Sequence, residues 1–168
     1  ITAFTTKPPD RTRPTLSILS PRPLQRWSDA AFVVKGTARD NVGVSNVFYS
    51  FNKGAWNNGI TANNWLNWTA QLNLVPGTNV LSAYATDFSG NNSVTQNLSF
   101  VYVVPSRLSV NITGLGRISP NYNNAMLEVG RNYSIRALPT GGFVFSNWVI
   151  SKGWLGGVAT NTPLITFM

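Results

Sequence analysis

No cysteine and no histidine occur in the 168 residues of this chain. Thiolate nucleophiles, disulfide staples, imidazole general bases and Cys/His zinc sites are therefore excluded together, and catalysis is not expected. The lack of cysteine suits a reducing cytosol and an exported protein that avoids mispairing equally well, so it does not fix the compartment. Charge is scarce as well. Charged residues make up 11% of the chain, against about a quarter in ordinary globular proteins. Acids are the scarcer sign: Asp10, Asp29, Asp40, Asp87 and Glu128 stand against thirteen Lys and Arg, for a net charge of +8. No apolar run is long enough to read as a membrane-spanning helix, so no membrane insertion is expected.

Amides and hydroxyls take the place of charge. Asparagine alone supplies 20 residues, and such a surface is hydrated as in many secreted β-proteins. Arg11, Arg13, Arg22 and Arg26 cluster in the N-terminal segment, and the other basic residues are scattered. A basic surface suits anionic polymers. Neither a basic helix nor an aromatic sheet motif accompanies it, however, so nucleic acid is not an expected partner.

The stretch at residues 79–91, NVLSAYATDFSGN, organises the first half. Leu81, Ala83 and Ala85 alternate with Ser82, Tyr84 and Thr86, the period of a strand inside a sandwich, and Asp87, Gly90 and Asn91 then supply a tight turn, with the next strand expected from Ser93. Before it, Thr15 to Leu19 begins a strand that Pro21 and Pro23 break. Phe32, Val34, Gly36 and Ala38 share one face of a second, ending in Asp40-Asn41-Val42-Gly43. Val47, Tyr49 and Phe51 face inward on a third, and Asn52-Lys53-Gly54 turns into a Trp56 segment. Trp68, Ala70, Leu72 and Leu74 alternate on the next, and Val94, Gln96, Leu98, Phe100 and Tyr102 complete the set. Six or seven short strands with no helical period predict an all-β protein whose first part is an antiparallel sandwich.

Residues 34–91 resemble the bacterial Ig-like domains found in tandem in exported proteins. The matching positions are Gly36, Ala38, Asp40, Gly43, Val44, Gly54, Trp56, Trp68, Leu72, the Pro76-Gly77-Asn79 turn, and Ala85-Asp87-Gly90-Asn91. The likeness extends over residues 15–104, preceded by a strand-like scrap and a proline-rich linker at 1–14. Beyond Pro105-Ser106 a second small β-domain is expected over 107–168. Its strands are expected around Leu108, Val110 and Ile112, at Tyr133, Ile135 and Ala137, and near Phe143-Val144-Phe145 and Trp148. Gly116, Ser119, Pro120, Gly130, Ala137, Pro139, Gly142, Phe143, Phe145 and Trp148 resemble the internalin-B-type repeat, a β-grasp-like module of bacterial surface proteins. Both resemblances imply an exported, non-catalytic structural or adhesive segment of a larger surface or filament protein. The alternative is a carbohydrate-binding accessory module of a secreted polysaccharide-degrading enzyme.

Two sets of candidate site residues follow. Asp40 and Asp87 fall in loops at the same end of an Ig-like sandwich, and with Asn41 and Asn91 they could offer oxygens to Ca²⁺, the one cofactor considered. The competing reading is that each Asp only caps its own turn. Trp56, Trp68 and Trp148 occupy family-pattern positions and are expected in the core. Trp65 and Trp154 sit among Asn and Gly in loops, where an indole could stack on a sugar ring of a surface polysaccharide or bury itself at an interface. Finally, Ile1-Thr2-Ala3-Phe4-Thr5 looks like the closing strand that a repeat ending near Leu164 to Met168 would lack. Neighbouring domains or subunits of the same protein are therefore the expected partners, through the strand at 1–5 and the edge at 164–168.

Overall fold

The computed structural model describes residues 8–150 and 159–168, all of it strand, turn or loop with no helix. It divides into two compact units, Ile1–Tyr102 and Val103–Met168.

The first unit contains β1 (Thr15–Ser20), β2 (Arg26–Trp27), β3 (Ala31–Arg39), β4 (Val44–Phe51), β5 (Trp56–Asn58), β6 (Trp68–Asn73), β7 (Gly77–Asp87) and β8 (Gln96–Tyr102). They form two sheets, ordered β1-β3-β6 and β2-β8-β7-β4-β5. Every pairing is antiparallel except the two-residue β2 against β8. The strand that organised the sequence reading, β7, lies at the centre of the larger sheet. Its alternation is realised in full: Leu81, Ala83 and Ala85 are buried, while Ser82, Tyr84 and Thr86 lie on the outer face. Phe32, Val34, Val47, Trp68, Ala70, Leu72 and Phe100 meet them from the other strands, so the core is the slab between the sheets.

Two polar or small residues are built into that slab. Gly36 on β3 faces the Trp68 indole; a Cβ there would overlap the ring and come within 2.5 Å of the Ser17 carbonyl oxygen. Asn79 is fully buried yet saturated. Its Oδ1 accepts from Val75 N–H and from Asn52 Nδ2, both at 3.1 Å, and its Nδ2 donates to the Val75 and Gly77 carbonyls. It thereby ties the turn before β7 to the turn after β4.

Two expectations for this unit need correction. The last strand starts at Gln96, not Ser93, because Ser93 is spent closing the turn: its N–H donates to the Ala85 carbonyl and its Oγ accepts from Ala85 N–H. Val94 is left exposed. Trp56 is not in the core. It lies on the short edge strand β5, 47% exposed, on the outer face of the five-stranded sheet.

The second unit contains β9 (Pro105–Arg107), β10 (Gly116–Ser119), β11 (Met126–Glu128), β12 (Tyr133–Pro139), β13 (Trp148–Val149), β14 (Ala159–Thr160) and β15 (Leu164–Phe167). A three-stranded antiparallel sheet, β10-β12-β15, is accompanied by the ribbons β9-β11 and β13-β14. Ile118, Ile135 and Ile165 are its buried hydrophobic side chains among the described residues. Tyr133 stacks on Phe167 and accepts the Glu128 N–H on its hydroxyl. The strand expected around Leu108, Val110 and Ile112 does not form. That segment instead meets a loop: Leu108 exchanges backbone bonds with Asn124 and Ala125, and Val110 N–H donates to Asn123 Oδ1, a side chain standing where a ladder partner would be. The Phe143-Val144-Phe145 stretch is likewise not a strand, and Phe143 and Val144 are exposed. Among the described residues β15 pairs only with β12, which leaves its other edge open. The expected partner strand at residues 1–5 lies outside the described residues.

Candidate metal centre

The register of the sandwich gathers three acids at one end. β1 pairs with β3 through Thr15↔Arg39, so the chain entering β1 must pass beside Asp40, which directly follows β3. β4 pairs with β7 through Val44↔Asp87, which sets the end of β7 beside the same turn. Asp10, Asp40 and Asp87 each bring a carboxylate oxygen to within 4.8 Å of the other two.

Each carboxylate is held by its own turn. Asp40 Oδ2 accepts the Val42 and Gly43 N–H groups at 2.8 and 2.9 Å. Asp87 is 3% exposed; its Oδ1 accepts Ser89 and Asn91 N–H at 2.8 Å each, and its Oδ2 accepts Asn91 Nδ2 at 2.7 Å. Asp10 Oδ1 accepts Thr12 N–H at 2.9 Å. The remaining oxygens of two of them, Asp10 Oδ2 and Asp40 Oδ1, are buried and have no hydrogen-bond partner. For Asp10 and Asp40, turn capping and ligand presentation are therefore not alternatives: one oxygen caps and the other is left over, while both Asp87 oxygens are engaged.

The electrostatics agree. The Thr12 N–H holds the Asp10 carboxyl below its usual range, against its partial burial and the nearby charge of Asp87. Burial works to raise Asp87, but hydrogen bonds from Asn91, Ser89 and Gly90 outweigh it and leave its carboxyl lowered too. Two neighbouring carboxylates are thus biased toward the anionic form. Crowded anions with orphaned, buried oxygens are what a hard cation relieves. Ca²⁺ binds oxygens at about 2.3–2.6 Å, which puts opposite ligands about 5 Å apart, a spacing this triad fits.

Asn91 reaches the cluster by its amide nitrogen, which donates to Asp87 Oδ2 and, at 3.1 Å, to the Asp10 carbonyl. It braces the linker against the turn rather than offering an oxygen. Asn41 lies beside the Asp10 carboxyl and adds to what keeps it anionic, without a hydrogen bond to its buried Oδ2. Asp10 was not among the sequence-predicted ligands. Its only local signal is the Asp-x-Thr turn it caps, inside a proline-rich stretch that reads as spacer.

Trp65 is half-buried and packs against the sandwich core, at a backbone φ of 67°. Its N–H donates to Thr61 Oγ1 and its carbonyl accepts the Ala38 N–H, which fix the loop to β3. Trp154 lies outside the described residues.

No known protein family and no curated protein matches the chain. Among solved structures it is similar to the fibronectin(III)-like modules of Clostridium thermocellum CbhA, with 18% identity over 54% of this chain and 46% of that one, at a TM-score of 0.43. An engineered protein is similar at 20% identity over 55% of this chain and 20% of that one, with a TM-score of 0.44. The chain thus spans less than half the length of either. The sandwich assignment rests on the strand order itself. No match supports an internalin-B-type repeat for the second unit.

Proposed function

We propose that the chain is a non-catalytic structural segment of an exported surface protein, in which a Ca²⁺ ion locks the incoming linker to the end of the sandwich. Asp10 comes from the linker, Asp40 from the turn between β3 and β4, and Asp87 from the turn after β7. One observation carries the reading: two of these three clustered carboxylates keep a buried oxygen with no partner. With the ion present, residues 8–14 become a fixed extension of the sandwich; without it, three like charges push them off. Such a joint suits a protein that holds successive β-modules in line. The open edge of β15 is where a neighbouring module or subunit of the same protein would add a strand, in keeping with an Ig-like and repeat-like surface protein.

Trypsin gives the test, because the bond after Arg11 adjoins Asp10 and the Arg13–Pro14 bond is resistant. Ca²⁺ is expected to slow cleavage after Arg11, to release binding heat and to raise the melting temperature, and Asp10→Asn is expected to lose all three responses while keeping the fold. Cleavage, heat and melting that do not respond to millimolar Ca²⁺ would remove the metal from this reading.

A further inference from the structure

The outer face of the five-stranded sheet carries an aromatic cluster that the calcium joint does not use. Phe48 on β4 and Tyr84 on β7 are directly cross-strand and stack at 5.2 Å between ring centroids. Trp56 on β5 pairs with Ser50, and because Ser50 is small and turned down onto the Gly54 carbonyl, the indole leans across β4 to meet Tyr84 edge-on at 4.8 Å. A core tryptophan would be covered; this one is 47% exposed.

What surrounds the rings is uncharged. The outward positions flanking them on β4, β5, β7 and β8 are Asn46, Asn58, Ser82, Thr86 and Asn97. Among the described residues no Lys or Arg occupies these outward positions; Arg26 stands opposite Val101 at the far edge of the sheet, and Lys53 lies in the turn between β4 and β5. The outward side chains are fixed in advance: Asn46 Nδ2 donates to Asn58 Oδ1 at 3.0 Å, and Ser82 Oγ donates to Asn97 Oδ1 at 2.6 Å. The Asn58 amide N–H groups are left available to a ligand, while Asn97 keeps one, since its Nδ2 also donates to the Thr95 carbonyl at 3.5 Å.

We propose that this face binds a neutral polysaccharide, with a sugar ring stacked on Trp56 and its hydroxyls accepting from Asn58 and Asn97. The chemistry fits on both counts. The C–H faces of a pyranose need an apolar ring with open surface, and its equatorial hydroxyls need uncharged amide and hydroxyl partners set beside that ring in advance. None of these outward strand positions offers a cation to an acidic glycan. The site is distinct from the Asp10–Asp40–Asp87 cluster, so either proposal can fail alone.

The test uses the full chain, with binding to soluble glucomannan, xyloglucan, mixed-linkage β-glucan, dextran and galactan measured by calorimetry beside polygalacturonate. Binding to at least one neutral polymer is expected, weakened about tenfold or more by Trp56→Ala and by Asn58→Ala, at an unchanged melting temperature and with no change on removing Ca²⁺. Tyr84→Phe, which keeps the ring, should bind as wild type does. Absence of binding to every neutral polymer overturns the proposal. So does binding that Trp56→Ala leaves intact, a preference for polygalacturonate, or concentration-dependent self-association that Trp56→Ala abolishes while no glycan binds.

Discussion

Gly36 bears the most demanding packing constraint in the sandwich. Trp68 lies over it and the Ser17 carbonyl beneath, both inside the distance any Cβ keeps. Neither can retreat, since Trp68 is 1% exposed in a slab that is packed on all sides and Ser17 is held in the β1–β3 ladder. Gly36→Ala should therefore cost about 1–3 kcal/mol or more, the ordinary penalty of overpacking, read as a lowered midpoint in urea unfolding. Unchanged stability would mean the Trp68 ring has somewhere to go. The carboxylates make a second prediction at this scale. Asp10 and Asp87 have folded pKa values below their ordinary one. Their contribution to stability is therefore complete above the unfolded value near 4 and is lost as pH falls through the lower folded values. Without divalent ions the melting temperature should drop as the solution is acidified below about pH 4. With Ca²⁺ the drop should move to still lower pH, because protons and the ion compete for the same oxygens. A melting temperature that is flat from pH 5 to 2 would contradict this.

Elements that repeat a two-residue period were readable in the sequence, and those defined by register were not. The alternations of β3, β6 and β7 name their buried faces correctly down to single residues, because each strand has the core on one side and water on the other. The three-residue β5 has no such alternation. Trp56, Asn57 and Asn58 are all exposed, so the family-pattern position misplaced the indole in the core. Leu108, Val110 and Ile112 fail the opposite way: they alternate well, but Asn123 and the neighbouring loop take their bonds. Asp40 and Asp87 could be paired from topology, whereas Asp10 joins them only through Thr15↔Arg39, a registration that no local pattern in KPPDRTRP announces.

Over the whole chain the two units differ sharply in what they bury. In the sandwich the core runs through both sheets, with Trp68, Phe100, Leu81, Val34 and Val47 almost wholly shielded. In the second unit Ile118, Ile135 and Ile165 are the buried hydrophobics among the described residues, each still 4% to 9% exposed. Stability rises with the share of apolar surface that a domain removes from water, so the second unit should unfold first. Calorimetry is expected to resolve two transitions, the lower one belonging to Val103–Met168. Ile135→Ala, which removes the middle of that small core at a typical cost of about 2–5 kcal/mol, should erase or lower the first transition and leave the second in place. Ca²⁺ should do the reverse, raising only the upper transition, because all three of its proposed ligands belong to the sandwich unit. A single cooperative transition that both perturbations move together would mean that the small core draws its stability from the large one, and would overturn the independence of the two units.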